Sequence, residues 1–184
     1  MNPKLKCIML IDDDEPTNFL TRMIIDEADC TEHIQVEDSG ERAFDYLLNS
    51  AKAGYNSKQY PWPDLIFLDI NMPAMNGWEF LEKYKELGKK PGRNTIITML
   101  TTSLNPDDKN KADDIADVTD FRHKPLTNEI VNEILQQYFV EPKDADWSRQ
   151  LRFRKDLEKI TNLDYNINHQ FQYNENRAKK NFLS

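Results

Sequence analysis

Acidic side chains stand directly after two apolar segments of this sequence. Asp12, Asp13 and Asp14 follow the first apolar run, and Asp69 follows another. Taken alone, each acid has an ordinary explanation, because Asp caps helices and opens turns. If the two runs are neighbouring strands, three carboxylates converge and repel one another, so a divalent cation is expected among them. Oxygen ligands favour Mg²⁺ or Mn²⁺ over zinc.

A hydroxyl group and a lysine follow two further apolar segments. Thr101 begins the polar run 101–103, and Lys124 precedes Pro125. In isolation, Thr101 is explained as a helix cap and Lys124 as a solvated loop residue. At the same rim as the acids, they add a hydrogen-bond donor and a fixed positive charge, which suit an anion with several oxygens. Carboxylate, metal, lysine and hydroxyl together predict a site for a phosphoryl group carried on Asp69.

Strand-like and helix-like hydrophobic patterns alternate between residues 6 and 140. Short apolar or β-branched runs predict strands, and apolar residues three and four apart predict helices. The five predicted strands are Lys6–Ile11, His33–Val36, Leu65–Leu68, Thr95–Leu100 and Val118–Phe121. The first predicted helix has an apolar face made of Phe19, Leu20, Met23 and Ile24. The second, third and fifth predicted helices have apolar stripes over residues 43–48, 78–84 and 130–139, and the third ends at Gly88. The fourth, over residues 106–116, is polar and only weakly helical in pattern.

This alternation predicts an α/β fold, a doubly wound (βα)₅ parallel sheet with helices on both faces. Right-handed crossovers leave few strand orders to consider. In such sheets, ligands bind beyond the carboxyl ends of the strands, where the strand order reverses. The acids, the hydroxyl and the lysine all stand at those ends.

The order and spacing of these motifs resemble the receiver domain of two-component response regulators, a CheY-like domain. The resemblance covers about residues 4–140 and implies the flavodoxin-like strand order 2-1-3-4-5. The motifs that carry it are Ile11–Asp14, Leu68–Pro73 with Met75–Gly77, Leu100–Thr102, and Lys124–Pro125.

The resemblance implies a role for each residue of the site. Asp69 would be the phosphoacceptor, receiving a phosphoryl group from a sensor histidine kinase or a histidine phosphotransfer protein. Mg²⁺, or Mn²⁺ in its place, would be bound by Asp12, Asp13, Asp69 and the backbone carbonyl of Asn71. Lys124 would pair with the phosphoryl oxygens.

The resemblance also implies a switch. Thr101 would turn inward to bond the phosphoryl group, and Phe121, at the family's aromatic switch position, would change rotamer with it. Phe121 has no hydroxyl, so it would act by burial alone. The side chains of Asn71 and Ser103 would tune the rate at which water removes the phosphoryl group. The signal is expected to leave through the face made by the fourth helix, fifth strand and fifth helix, where a homodimer is also expected.

Charge divides the chain unevenly. Residues 141–184 have a net charge of +2, whereas residues 1–140 have a net charge of −10. We therefore predict a receiver domain over 1–140 and a C-terminal extension over 141–184, divided at Glu141–Pro142. The extension is too short and too weakly basic for a DNA-reading output domain. Its amphipathic pattern predicts one helix over 147–160, packed on its own domain or docked on a partner, near the face of the fifth strand.

The overall composition excludes several classes of function and location. A net charge of −8 argues against nucleic acid or an anionic membrane as partner. The apolar runs are about five residues long, far below a membrane span, and no secretory signal is visible. Cys7 and Cys30 have no metal or redox spacing and are expected to be reduced thiols. These features predict a cytoplasmic location.

The resulting expectation is a stand-alone response regulator whose phosphorylation alters its binding to another protein. It would not be an enzyme, beyond assisting its own phosphoryl transfer and autodephosphorylation. One alternative is a Mg²⁺-dependent phosphohydrolase of the haloacid dehalogenase type, but that family needs a second Asp where this sequence has Asn71. The other is a transcriptional regulator with an atypical short output segment, which the short extension disfavours.

Overall fold

A computed structural model describes residues 4–54, 57–87, 95–103 and 105–140. The predicted extension 141–184 with its helix over 147–160, and Gly88 as the end of the third helix, lie outside these residues. No helix among the described residues is long and apolar enough to cross a membrane. The elements are β1 Ile8–Ile11, α1 Glu15–Ala28, β2 Ile34–Glu37, α2 Gly40–Ala53, β3 Leu65–Asp69, α3 Gly77–Glu86, β4 Ile96–Thr101, α4 Pro106–Asp113, β5 Asp120–His123 and α5 Asn128–Tyr138.

The five strands form one parallel sheet in the order β2-β1-β3-β4-β5. The predicted fold class and strand order are thereby confirmed. The order reverses between β1 and β3, which pair directly in the register Ile11↔Leu68. This register places Asp12 and Asp69 side by side, one residue beyond that pair. The switch point and the predicted site therefore coincide.

Two apolar layers cover the two faces of the sheet. One layer packs α2 and α3 against β1, β3 and β4, and the other packs α1 and α5 against the opposite face. β1 and β3 are buried along their whole length. Because both faces are covered, β1 and residues 65–68 of β3 are apolar at every position, and Asp69 ends β3 at the site.

The connection between α2 and β3 contributes to the core. Trp62, which lies in this connection, is fully buried. Its indole N–H donates to the hydroxyl of Thr95 at 2.8 Å, and that hydroxyl donates to the carbonyl of Pro63 at 2.9 Å. Tyr46 donates to the carbonyl of Pro61 at 3.0 Å. The buried polar tips are thus satisfied, so the loop packs against the sheet at little cost.

Helix α1 buries a different face from its apolar one. Its buried residues are Asn18, Thr21 and Ile25, whereas Phe19 is 63% exposed, Leu20 58% and Met23 53%. At about 100° per residue, the three exposed residues lie on the side opposite Asn18. The apolar face predicted from periodicity is therefore a surface patch over most of its area, and only Ile24 packs against the core.

The two edge strands differ from their predicted bounds. β2 begins one residue later than predicted, and β5 runs from Asp120 to His123 rather than from Val118 to Phe121. The register Thr98↔Asp120 and Thr101↔His123 explains β5, because pairing with β4 continues into charged residues. An edge strand tolerates such residues, since only one of its sides is paired.

Candidate functional site

Three carboxylates meet at the carboxyl edge of the sheet. Asp12 directly follows β1, and Asp69 is the last residue of the adjacent strand β3. Each of these residues is 5% exposed. Asp13 is exposed to solvent. One carboxylate oxygen from each of the three lies within 4.8 Å of the others. The structure thus brings together the acids that the sequence placed at separate strand ends.

Lys124 bridges the two buried acids. Its Nζ donates to Asp12 Oδ2 at 2.6 Å and lies 2.7 Å from Asp69 Oδ1. The backbone N–H of Lys124 donates to the carbonyl of Thr101 at 2.8 Å, which fixes the lysine to the end of β4. Burial alone would lower the pKa of Lys124, but the hydrogen bonds to Asp12 and Asp69 outweigh it and raise that pKa.

One lysine does not neutralise three carboxylates. Burial raises the pKa of Asp12, although its hydrogen bond with Lys124 opposes that change. Asp13 adds a third negative charge on the solvent side. The set of hard oxygen ligands, two buried and one exposed, fits Mg²⁺, which keeps several waters and takes few protein ligands. The residues present therefore fit a divalent cation bound on the open side of the cluster.

Asp14 has a different role from its two neighbours. Its side chain accepts the N–H of Thr17 at 2.9 Å and caps α1. Hydrogen bonds from the hydroxyl and the N–H of Thr17 lower the pKa of Asp14. Of the acids after β1, Asp14 is the one whose side chain caps the following helix. The cap starts α1 directly behind the cluster.

The loop after Asp69 packs tightly against the acceptor. Asp69 Oδ2 accepts the backbone N–H of Asn71 at 2.9 Å. Gly77, the first residue of α3, donates to the carbonyl of Ile70 at 2.9 Å. A Cβ on Gly77 would lie 2.4 Å from the carbonyl oxygen of Asp69. Only glycine permits this approach, and Asn76 then caps α3 in a capping box with Glu79.

The sequence of this chain matches a known family over the same residues. The family described as "Response regulator receiver domain" matches residues 8–136. The chain belongs to this family. A crystal structure of a two-component response regulator from Cytophaga hutchinsonii is 35% identical, with a TM-score of 0.64, covering 73% of this chain and 96% of that one. The chemotaxis protein CheY4 of Vibrio cholerae is 25% identical, with a TM-score of 0.54, covering 72% and 98%.

A curated relative matches a shorter segment. "Response regulator Rre1" of Synechocystis is 35% identical over 74 residues, which is 39% of this chain and 31% of that protein. The chain thus spans about a third of the length of this relative. The two solved structures, in contrast, match this chain over 96% and 98% of their own length.

The predicted switch residues lie at the end of β4 and on β5 of this receiver domain. Thr101 is fully buried, and its hydroxyl accepts the N–H of Ser103 at 2.9 Å. Phe121 is partly buried and pairs in register with Met99. Its ring stands perpendicular to that of His123 at 6.0 Å. Phe121 also lines a cleft of about 290 Å³ between α4 and β5, so it has space beside it.

Two features beside the site were missed in the sequence analysis. Asn18 is 8% exposed and donates from Nδ2 to the carbonyl of Asp12 at 2.6 Å. The exposed patch of Phe19, Leu20 and Met23, called the α1 patch below, begins about 6 Å along the helix from Glu15. The cap at Asp14 was the available signal, because it fixes which residues of α1 face the strand ends.

Proposed function

We propose that Asp69 of this receiver domain accepts a phosphoryl group from a histidine kinase or a histidine phosphotransfer protein. The observation that carries the proposal is Lys124 Nζ, placed 2.6 Å from Asp12 and 2.7 Å from Asp69. A fixed cation between two buried acids is what an incoming phosphoryl group requires, because its oxygens bring further negative charge into the site.

The transfer follows from the positions of the side chains. A carboxylate oxygen of Asp69 attacks the phosphorus of a phosphohistidine, a P–O bond forms, and the P–N bond breaks with the imidazole as leaving group. Lys124 can leave Asp12 and pair with a phosphoryl oxygen, and the N–H of Asn71 already points at Asp69. Asp12, Asp13, Asp69 and the carbonyl of Asn71 would bind Mg²⁺, which supplies charge neutralisation for the phosphoryl oxygens.

The output proposed is a change in protein–protein contacts. The hydroxyl of Thr101 exchanges its bond to Ser103 for one to the phosphoryl group, and Phe121 rotates into the space this leaves. The cleft beside Phe121 provides room for a second rotamer. The surface of α4, β5 and α5 then differs between two states, for a downstream partner or a second copy to recognise. We propose that the side chains of Asn71 and Ser103 tune the rate of dephosphorylation.

The phosphodonor is proposed to dock across the α1 patch. Large exposed apolar patches mark interaction sites, and this one lies on the helix that begins at the acidic cluster. A donor that covers the patch brings its histidine to the same edge of the sheet. We propose a cytoplasmic location for this exchange, with residues 141–184 as a separate extension.

The test is phosphorylation by acetyl phosphate or a cognate kinase. Wild type should be labelled in Mg²⁺ and not in EDTA, and Asp69→Asn should abolish labelling because it keeps the shape and removes the nucleophile. Asp38→Asn is the matched control, since Asp38 is an exposed acid just after β2. Labelling of Asp69→Asn at the wild-type rate would show that the acceptor is another residue. Steady hydrolysis of a generic phosphomonoester would instead support the phosphohydrolase alternative.

A further inference from the structure

Asn18 is a buried amide on the face of α1 that packs against the sheet. The buried residues of this helix, Asn18, Thr21 and Ile25, follow helical spacing, and the first of them is a carboxamide. A buried amide is costly unless its hydrogen bonds are made. Side chains on a helix tilt toward its N-terminus, so Asn18 reaches back past the cap to the end of β1.

The bond that Asn18 makes lies at the metal-binding turn. Its Nδ2 donates to the backbone carbonyl of Asp12 at 2.6 Å. That carbonyl lies past the last register pairs of β1, Ile11↔Glu37 and Ile11↔Leu68, where the strand ladders end. Asn18 therefore supplies, from the helix, the donor that the ladder supplies elsewhere along β1.

Asp12 is held at every polar atom. Its N–H donates to the carbonyl of Glu37 at 3.2 Å, Oδ1 accepts the N–H of Asp14 at 3.0 Å, and Oδ2 accepts Lys124 Nζ at 2.6 Å. The bond from Asn18 completes the set. It also holds the peptide plane between Asp12 and Asp13, because a peptide group is planar and its oxygen fixes the orientation of the whole unit.

Of the three acids, the exposed Asp13 is the one whose orientation depends most on the peptide plane between Asp12 and Asp13. The buried carboxylates of Asp12 and Asp69 are fixed by Lys124, whereas Asp13 is exposed to solvent. Its carboxylate nevertheless lies within 4.8 Å of the other two. The peptide that Asn18 holds joins Asp12 to Asp13, so its plane is one determinant of the direction in which the Asp13 side chain leaves the main chain.

We infer that Asn18 is a positioning residue for the divalent cation: it aligns Asp12 and Asp13 toward Asp69 and so sets the affinity of the site. The inference rests on the proposed function, in which these acids bind Mg²⁺. Groups that orient metal ligands change affinity by about 10- to 100-fold when they are removed.

The experiment measures Mn²⁺ binding directly, by loss of the free-ion electron paramagnetic resonance signal, with Mg²⁺ as competitor. Asn18→Leu keeps the size and removes the amide, and we expect its dissociation constant to rise about 10- to 100-fold. Asn18→Ala leaves room for a water to replace the donor, and we expect a smaller rise in the same direction. Thr21→Val is the matched control, because Thr21 is the next buried polar residue on the same face.

These measurements distinguish a failure of the inference about Asn18 from a failure of the proposed function. A purely structural role for Asn18 would change the unfolding temperature in EDTA but leave the dissociation constant of the folded protein unchanged. Should Asn18→Leu and Asn18→Ala bind Mn²⁺ as tightly as Thr21→Val, while wild type binds Mn²⁺ and is labelled on Asp69, the inference alone is wrong. A wild-type chain that binds neither ion overturns the inference and the proposed function together.

Discussion

Replacing Lys124 by Met should destabilise the fold when no divalent cation is present. The side chain of Lys124 is 12% exposed, and the side chains of Asp12 and Asp69 that it contacts are each 7% exposed. Methionine keeps the apolar stem and removes the charge, so Asp12 and Asp69 lose their shared partner. Removing one member of a buried ion pair typically costs about 3–5 kcal/mol, because the remaining charge is left uncompensated.

Protonation limits this loss. Burial already raises the pKa of Asp12, so without the lysine this carboxyl group takes up a proton more readily as the pH falls. We therefore expect Lys124→Met to lower the free energy of unfolding by about 3–5 kcal/mol at pH 7 and by less at pH 5. Saturating Mg²⁺ should narrow the gap at pH 7, since the ion replaces the lost positive charge.

Urea unfolding followed by circular dichroism measures these differences. Lys85→Met is the matched control, because Lys85 pairs with Glu82 on the surface, where the two side chains are 42% and 69% exposed. Such pairs contribute less than about 1 kcal/mol. If Lys124→Met in EDTA at pH 7 is as stable as Lys85→Met, or if its deficit does not shrink on acidification, the electrostatic account of the site is wrong.

Two further predictions concern the core and the α1 patch. Burial, and then the charge of Asp64, raise the pKa of the Cys7 thiol from 9.0 to about 12. The unfolded chain therefore loses this proton first, so stability should fall by about 1.4 kcal/mol per pH unit above pH 9. Urea melts of Cys7→Ala should show a shallower fall, and equal slopes would contradict the assignment. Phe19→Glu should slow transfer from a kinase about tenfold while leaving acetyl phosphate labelling unchanged, and equal slowing of both reactions would mean that the patch is not a docking surface.

The sequence alone determined the fold class, the strand order implied by the family resemblance, and the membership of the acidic cluster. The physical reason is that fully apolar strands alternating with helices have few parallel arrangements, and that residues after such strands share one edge. Asp12, Asp13 and Asp69 could therefore be placed together before any distance was known. Their positions after the strands placed Asp12, Asp13, Asp14 and Asp69 at one edge, and the family resemblance implied which of them form the cluster.

Helix α1 shows what local patterns cannot decide. Periodicity groups Phe19, Leu20 and Met23 on one face, but it does not say which face the sheet will cover. That choice depends on the crossover from β1 to β2 and on the partners available inside. Asn18 could be buried because the carbonyl of Asp12 accepts its amide. The apolar face was therefore left largely at the surface.

The charge balance of the site was likewise a tertiary outcome. The sequence places Lys124 at the end of the last strand, 112 residues after Asp12. Only the sheet order sets one lysine between two buried acids, close enough to bond both. Trp62 reached the core for the same kind of reason, because Thr95 accepts its indole N–H. A hydrogen bond between residues distant in the chain requires both partners in place, and the folded structure alone brings them there.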